Sequence, residues 1–154
     1  VETNRAFHQI IPYAILYREG KVLIYKRSKN GNESRLHDLW TLGFGGHIEE
    51  VDGVGMEAVR NCFVRELQEE AGITPTATEG EFYIDIDEGV SSYHFGVAKV
   101  VTKWQGEFKF NEEVKETKWL TLEEAEKYNL ESWTRYSIEH LKRYYYGMFE
   151  NRTV

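Results

Sequence analysis

The chain has 154 residues, of which 41% are hydrophobic, 14% aromatic and 29% charged, enough for one ordinary domain that buries roughly two thirds of its unfolded surface. Its formal net charge of -7 and the lack of any basic face in the order of residues exclude stable nucleic-acid binding, so action on a phosphate would require recruited metal ions. The single cysteine, Cys62, excludes an intramolecular disulfide and a Cys-based zinc site. No apolar run reaches the ~20 residues of a membrane span. With no signal-peptide pattern at the start, the expected compartment is the cytoplasm.

In chain order, residues 6–17 and 21–26 read as strands joined by an Arg18-Glu19-Gly20 hairpin turn, and the polar residues 27–38 as a loop. Residues 39–48 read as one strand running into a Gly45-Gly46 turn. A helix follows, with Met56, Val59, Phe63 and Leu67 forming its buried stripe and Gly72 its stop, and Cys62 is a small core residue within it. Residues 81–86, 92–104 and 116–120 are further strands. Thr121 to Glu124 has the form of a capping box, and Ser132 is placed to cap a last helix through residue 149. Strands, helix, strands and helices in that order predict an α+β sandwich with a mixed sheet, one domain over 1–154.

Residues 65 to 73, Arg-Glu-Leu-Gln-Glu-Glu-Ala-Gly-Ile, carry the chemistry. On a helix, steps of 100° bring Glu66, Glu69 and Glu70 within one third of the circumference, where like charges repel by about 0.2–0.5 kcal/mol a pair. They also lie in the last turns, where the helix dipole disfavours anions. A hard divalent cation reverses the sign of each of these terms. Arg65 sits beside the cluster, where a guanidinium can orient a carboxylate bidentately.

This segment resembles the signature of the Nudix hydrolases: a glycine, five residues, a glutamate, seven residues, then Arg-Glu-apolar-x-Glu-Glu-x-Gly-apolar. Residues 65 to 73 match its second half at every fixed position, within a signature region of 45–73. Gly46 precedes Arg65 by nineteen positions where the pattern has fourteen, so about five residues are added. Keeping the first spacing puts Asp52 at the outer acid position; keeping the second puts Glu57 there. The resemblance implies a Nudix-type α/β/α sandwich and hydrolysis of a phosphoanhydride in a nucleoside diphosphate linked to another moiety. It further implies Mg²⁺ or Mn²⁺ on Glu66, Glu70, Glu69 and the Gly45 carbonyl, with Arg65 as an orienting partner. The base is then Glu69 or, from a loop before the late strand, Glu113.

Arg35, His37 and Trp40, just before the catalytic strand, pair cations with an aromatic and are substrate-binding candidates, as is His47 after the glycine pair. Tyr83, Tyr93 and Phe95 are rival stacking residues. The aromatic tail from Trp133 through Tyr144-Tyr145-Tyr146 to Phe149 could cover the sheet, close the pocket or join two copies as a homodimer. Two other functions share the fold. An isopentenyl diphosphate isomerase normally carries a Cys before the His, where Gly43-Phe44-Gly45-Gly46-His47 has none, and a catalytically silent nucleotide-sensing module tends to lose signature acids that this chain keeps.

Overall fold

The structure is a computed structural model and describes residues 9–27, 39–85, 94–145 and 147. Strands β1 (Gln9–Arg18) and β2 (Lys21–Arg27) form the expected hairpin. Its turn residues Glu19 and Gly20 have φ of 50° and 80°, the left-handed pair that matches the twist of a two-residue loop. Residues expected to form one strand instead make two short ones on different partners, β3 (Trp40–Thr41) on β2 and β4 (Gly43–Gly45) on β1. The break falls at Leu42, whose N–H donates to Thr134 Oγ1 at 2.9 Å instead of to a strand.

Helix α1 (Gly55–Ala71) buries Ala58, Val59, Cys62, Phe63, Glu66, Leu67 and Ala71. Met56, expected on that stripe, is 68% exposed. It lies in the first turn, next to the equally exposed Val51 and Val54, so its angular position is right but no layer covers it there. Strand β5 (Thr74–Ile84) begins directly after the helix stop, seven residues before the expected start. Register shifts at Pro75/Ala77 and Glu79/Glu81 and the positive φ of Gly80 break its alternation, so only its far end shows a strand period.

Strands β6 (His94–Gln105) and β7 (Val114–Leu120) and helices α2 (Leu122–Ala125) and α3 (Ser132–Tyr144) complete the described elements. Thr121 and Glu124 do form a reciprocal capping box on α2. Ser132 is the first residue of α3 and Glu131 its N-cap, without a side-chain capping bond, so the expected Ser132 cap is corrected by one position.

The sheet order is β3-β2-β1-β6-β5, with β4 added on β1 and β7 on β2. β1 runs parallel to β6 and antiparallel to β2 and β4, which makes the sheet mixed. On one face Phe63, Leu67 and Ala71 of α1 pack on Ala14, Leu16, Leu23 and Phe44; on the other, Leu122, Ala125, Ile138 and Leu141 of α2 and α3 pack on Ile15, Ile24 and Val100. Each large side chain buried in this way stabilises the fold by about 1.5–3 kcal/mol. The result is the expected α/β/α sandwich. No helix among the described residues is long and apolar enough to cross a membrane.

α1 stops at Gly72, where φ is 75° and the N–H bonds to Gln68 O at 3.1 Å. A Cβ there would lie 3.0–3.1 Å from Lys109 Cβ, N and O, and Lys109 N donates to Ala71 O. Gly72→Ala therefore adds a close backbone contact to the cost of a left-handed alanine, together about 1–2 kcal/mol. Thermal unfolding should show Tm lower by roughly 2–8 °C; an unchanged Tm would mean that the 107–111 segment does not press on the helix end.

Candidate active site

The site lies where the β4 turn meets the C-terminal half of α1. Gly45 sits so close to β1 that a Cβ would strike the Pro12 carbonyl oxygen, and a Cβ on Gly46 would strike Glu66 Oε1. Two glycines in a row thus let the chain pass between a strand and a carboxylate. Arg65 is the centre of the cluster. Its Nε and Nη2 bond Asp52 Oδ1 and Oδ2 at 2.9 Å each, a bidentate pair. Nη1 bonds Glu66 Oε1 at 3.1 Å and Glu69 Oε2 at 3.2 Å, and Nη2 also reaches the His47 carbonyl at 3.1 Å.

This resolves the two alignments in geometric terms. Asp52 is 2% exposed and also accepts from Glu49 N at 2.8 Å, whereas Glu57 is an exposed residue of the first helical turn. Asn61 Nδ2 donates to Asp52 O at 3.0 Å and ties the added residues back onto α1. The insertion is thus mixed in character: Val51, Gly53 and Val54 face solvent while Asp52 is turned inward. The Arg65 hydrogen bonds hold the Asp52 carboxyl down at about 2, below its ordinary 3.8.

The three glutamates do not face one point as the helical angles alone predict, and among the described residues no three acids or other ligand types converge as a ready cage. Arg65 draws Glu66 and Glu69 to itself, while Glu70 turns the other way. Glu70 Oε2 is buried without a hydrogen-bond partner. Burial first, and the Glu66 charge second, push its carboxyl up to about 8; burial likewise raises Glu66, against the opposing effect of Arg65. A buried acceptor with no donor costs about 1–3 kcal/mol. A hard cation would offset that cost and favour the charged form of both acids, so the residues present fit a divalent metal.

Glu113 belongs with these acids. Asn111 N donates to Glu70 O at 3.0 Å, and Glu113 N donates to Asn111 Oδ1 at 3.0 Å, so the turn before β7 is pinned to the helix end with Glu113 within charge reach of Glu70. Asn111 has no signal in the sequence beyond its place in that loop. His47 is exposed and contributes its carbonyl to Arg65 and to the Cys62 thiol at 3.5 Å. Burial pushes that thiol up to about 12, consistent with an inert core cysteine.

Trp40 corrects an expectation. It is 8% exposed, packs edge-on against Tyr128 at 5.2 Å and belongs to the cluster under α2 and α3, so it supports the core instead of lining the pocket. Tyr83, 53% exposed, stacks on Phe95 at 5.5 Å at the far side of the sheet, on β5 and β6. Arg35, His37, Tyr93, Tyr146 and Phe149 lie outside the described residues. Tyr145 of the aromatic tail covers Phe82 and approaches Gly80. Sequence reasoning missed Arg27 and Glu131, discussed below; a cation closing β2 and an acid opening α3 are too common to stand out.

The model of the NUDIX domain family matches residues 8–141, and the chain belongs to the Nudix hydrolase family. It is 31% identical to Protein YmaB of Bacillus subtilis over 92% of this chain and 74% of that protein. The crystal structure of Tm1382, described as a candidate Nudix hydrolase, superposes with a TM-score of 0.75 at 30% identity, covering 91% of this chain and 73% of that one. The NUDIX domain of Shewanella oneidensis NrtR, solved with ADP ribose, shares the fold at a TM-score of 0.67 and 21% identity, over 90% of both chains. Hydrolases of the family generally use divalent metals.

The Arg65–Asp52 pair yields a pH prediction. A carboxyl held low in the folded state adds stability that is fully present above its unfolded value near 4 and is lost as pH falls toward 2. Asp52→Asn should cost about 1–3 kcal/mol at pH 7 and flatten the stability profile between pH 4 and 2, whereas Glu57→Gln should leave both unchanged. Urea unfolding across that range checks it. Equal behaviour of the two variants would contradict the assignment of Asp52 as the partner of Arg65.

Proposed function

We propose that this protein hydrolyses a phosphoanhydride bond of a nucleoside diphosphate linked to another moiety, a class that includes oxidised nucleoside triphosphates, dinucleotides and nucleotide sugars. The observation that carries the reading is the partnerless buried oxygen of Glu70 beside Glu66, under a glycine turn that admits close approach. Glu66, Glu70, Glu69 and the Gly45 carbonyl are the residues that would hold Mg²⁺ or Mn²⁺. When bound, such an ion supplies charge neutralisation of the diphosphate and polarises the reacting oxygens.

The chain's own residues do the rest. Arg65, fixed by Asp52, keeps Glu66 and Glu69 in register. Glu69, whose side chain is more than half exposed, and Glu113, on the turn pinned to Glu70, are the two carboxylates open enough to take a proton from an attacking water. The buried side chains around Gly43 to Gly45 keep the floor of the cleft dry, which strengthens every charge interaction above it.

Glu66→Gln and Glu70→Gln should each lower kcat by at least 100-fold on a panel of diphosphate compounds while Tm stays the same or rises, because one charge leaves a repelling cluster. Calorimetry should show their Mn²⁺ affinity reduced. If either variant bound Mn²⁺ as the wild type does and kept its rate, the assignment of these acids would be wrong.

The base is a separate matter. With Glu69 in that role, Glu69→Gln lowers kcat severely and removes the acidic limb of the pH–rate profile, and Glu113→Gln chiefly raises KM. The reverse pattern at saturating Mg²⁺ and substrate transfers the role to Glu113.

A further inference from the structure

The cleft at Glu70 leads to a second carboxylate that hydrolysis does not use. Pairing of β2 with β3 sets Tyr25 opposite Thr41. Residues two apart on a strand share a face, so Thr41, Tyr25 and Arg27 lie on one side of the sheet, the side on which Tyr25 joins the α1 cluster. Thr41 Oγ1 donates to Glu131 Oε1 at 2.5 Å, and Glu131 N donates to Trp40 O at 3.2 Å. These two bonds draw the residue before α3 to the end of the sheet that carries Arg27. Thr134 Oγ1 lies 3.5 Å from the same Glu131 oxygen. Glu131 Oε2 has no hydrogen-bond partner among the described residues.

Arg27 stands between the two acids. Its guanidinium lies 5.9 Å from the centre of the Tyr25 ring and, among the described residues, makes no ion pair, while both Glu70 and Glu131 are within reach of its charge. The Tyr25 hydroxyl is already spent on the Gly43 carbonyl at 2.8 Å. Along the cleft the order is therefore acids at Glu66 and Glu70, a cation with open donors at Arg27, and a carboxylate with one open acceptor at Glu131.

That order has a chemical complement. A diphosphate beside Glu70 brings phosphate oxygens to Arg27, whose five donors suit them. Whatever is joined to that phosphate meets a carboxylate that can only accept. A further phosphate there is repelled, and an apolar chain removes water from the carboxylate with nothing in return. Vicinal hydroxyls of a sugar, or ring N–H and amino groups of a base, complete it.

We propose that Glu131 is a specificity-determining residue whose open oxygen accepts hydrogen bonds from hydroxyl or N–H groups of the moiety joined to the diphosphate, while Arg27 holds the adjoining phosphate. This rests on the diphosphate-hydrolase reading and is tested by binding, apart from turnover. In Mg²⁺ buffer, calorimetry would compare methyl phosphate, ribose 5-phosphate, 2′,3′-dideoxyadenosine monophosphate and AMP. The second offers hydroxyl donors alone and the third base donors alone.

The wild type should bind at least one of the donor-bearing phosphates about tenfold or more tightly than methyl phosphate, the size of a hydrogen bond to a charged group. Glu131→Gln should reduce that preference to within about threefold and leave methyl phosphate unchanged, whereas Arg27→Gln should weaken all four alike. Thr41→Val, which releases Glu131 without altering the start of α3, should shift the preference in the same direction and serves if Glu131→Gln does not fold. The inference is overturned if the wild type shows no preference, if Glu131→Gln binds all four as the wild type does, or if it weakens methyl phosphate equally. Absence of hydrolysis across the diphosphate panel, with the binding pattern intact, would instead refute the hydrolase reading alone.

Discussion

One guanidinium organises the site. Arg65 holds Asp52 through two 2.9 Å bonds, gathers Glu66 and Glu69 on its remaining edge and fixes the His47 carbonyl that follows the glycine turn. Without it, a helix end bearing three glutamates would carry both mutual repulsion and an unfavourable dipole. Because the cation is always charged and its fork is rigid, it sets the direction of each carboxylate as well as balancing its charge. Glu70 alone is outside its grasp, and Glu70 is the acid whose oxygen is buried without a donor.

The sheet is arranged to make that possible. β4 leaves β3 at Leu42 and crosses to β1, and the crossing places Gly45 over Pro12 and Gly46 over Glu66 with no room for a side chain at either. The same departure frees β3 to meet α3 through Thr41, Leu42 and Thr134, so the two helical layers both reach the end of the sheet where β2 closes at Arg27. A cleft with acids from α1, a cation from β2 and an acid from the start of α3 follows from one broken strand.

How much of this could be read from the order of residues differs by element. The hairpin at Glu19-Gly20, the stripe from Val59 to Leu67, the Gly72 stop and the Thr121 capping box are local patterns, and the structure has each of them. β5 escaped because its bulges spoil the period of two on which a strand is recognised, and the split of β3 from β4 depends on a hydroxyl 92 positions away. The signature segment pointed correctly to the family, but angles on a bare helix could not show that Arg65 would separate Glu70 from its neighbours. The choice of Asp52 over Glu57 was likewise closed to spacing, since it depends on how the inserted residues fold back. Trp40 was misjudged for a related reason: an aromatic beside a cleft and an aromatic beneath it have the same neighbours in sequence.

The central claim is that Glu66 and Glu70, under the Gly45-Gly46 turn, form a divalent-cation site that Arg65 and Asp52 keep in order. The most direct measurement is an anomalous difference map from crystals of the protein grown with Mn²⁺. The account predicts a peak about 2.0–2.6 Å from oxygens of both Glu66 and Glu70, the range of hard cation–oxygen bonds, with the Arg65–Asp52 pair intact. A map with no peak at these two carboxylates, or with manganese bound only elsewhere on the chain, would contradict it.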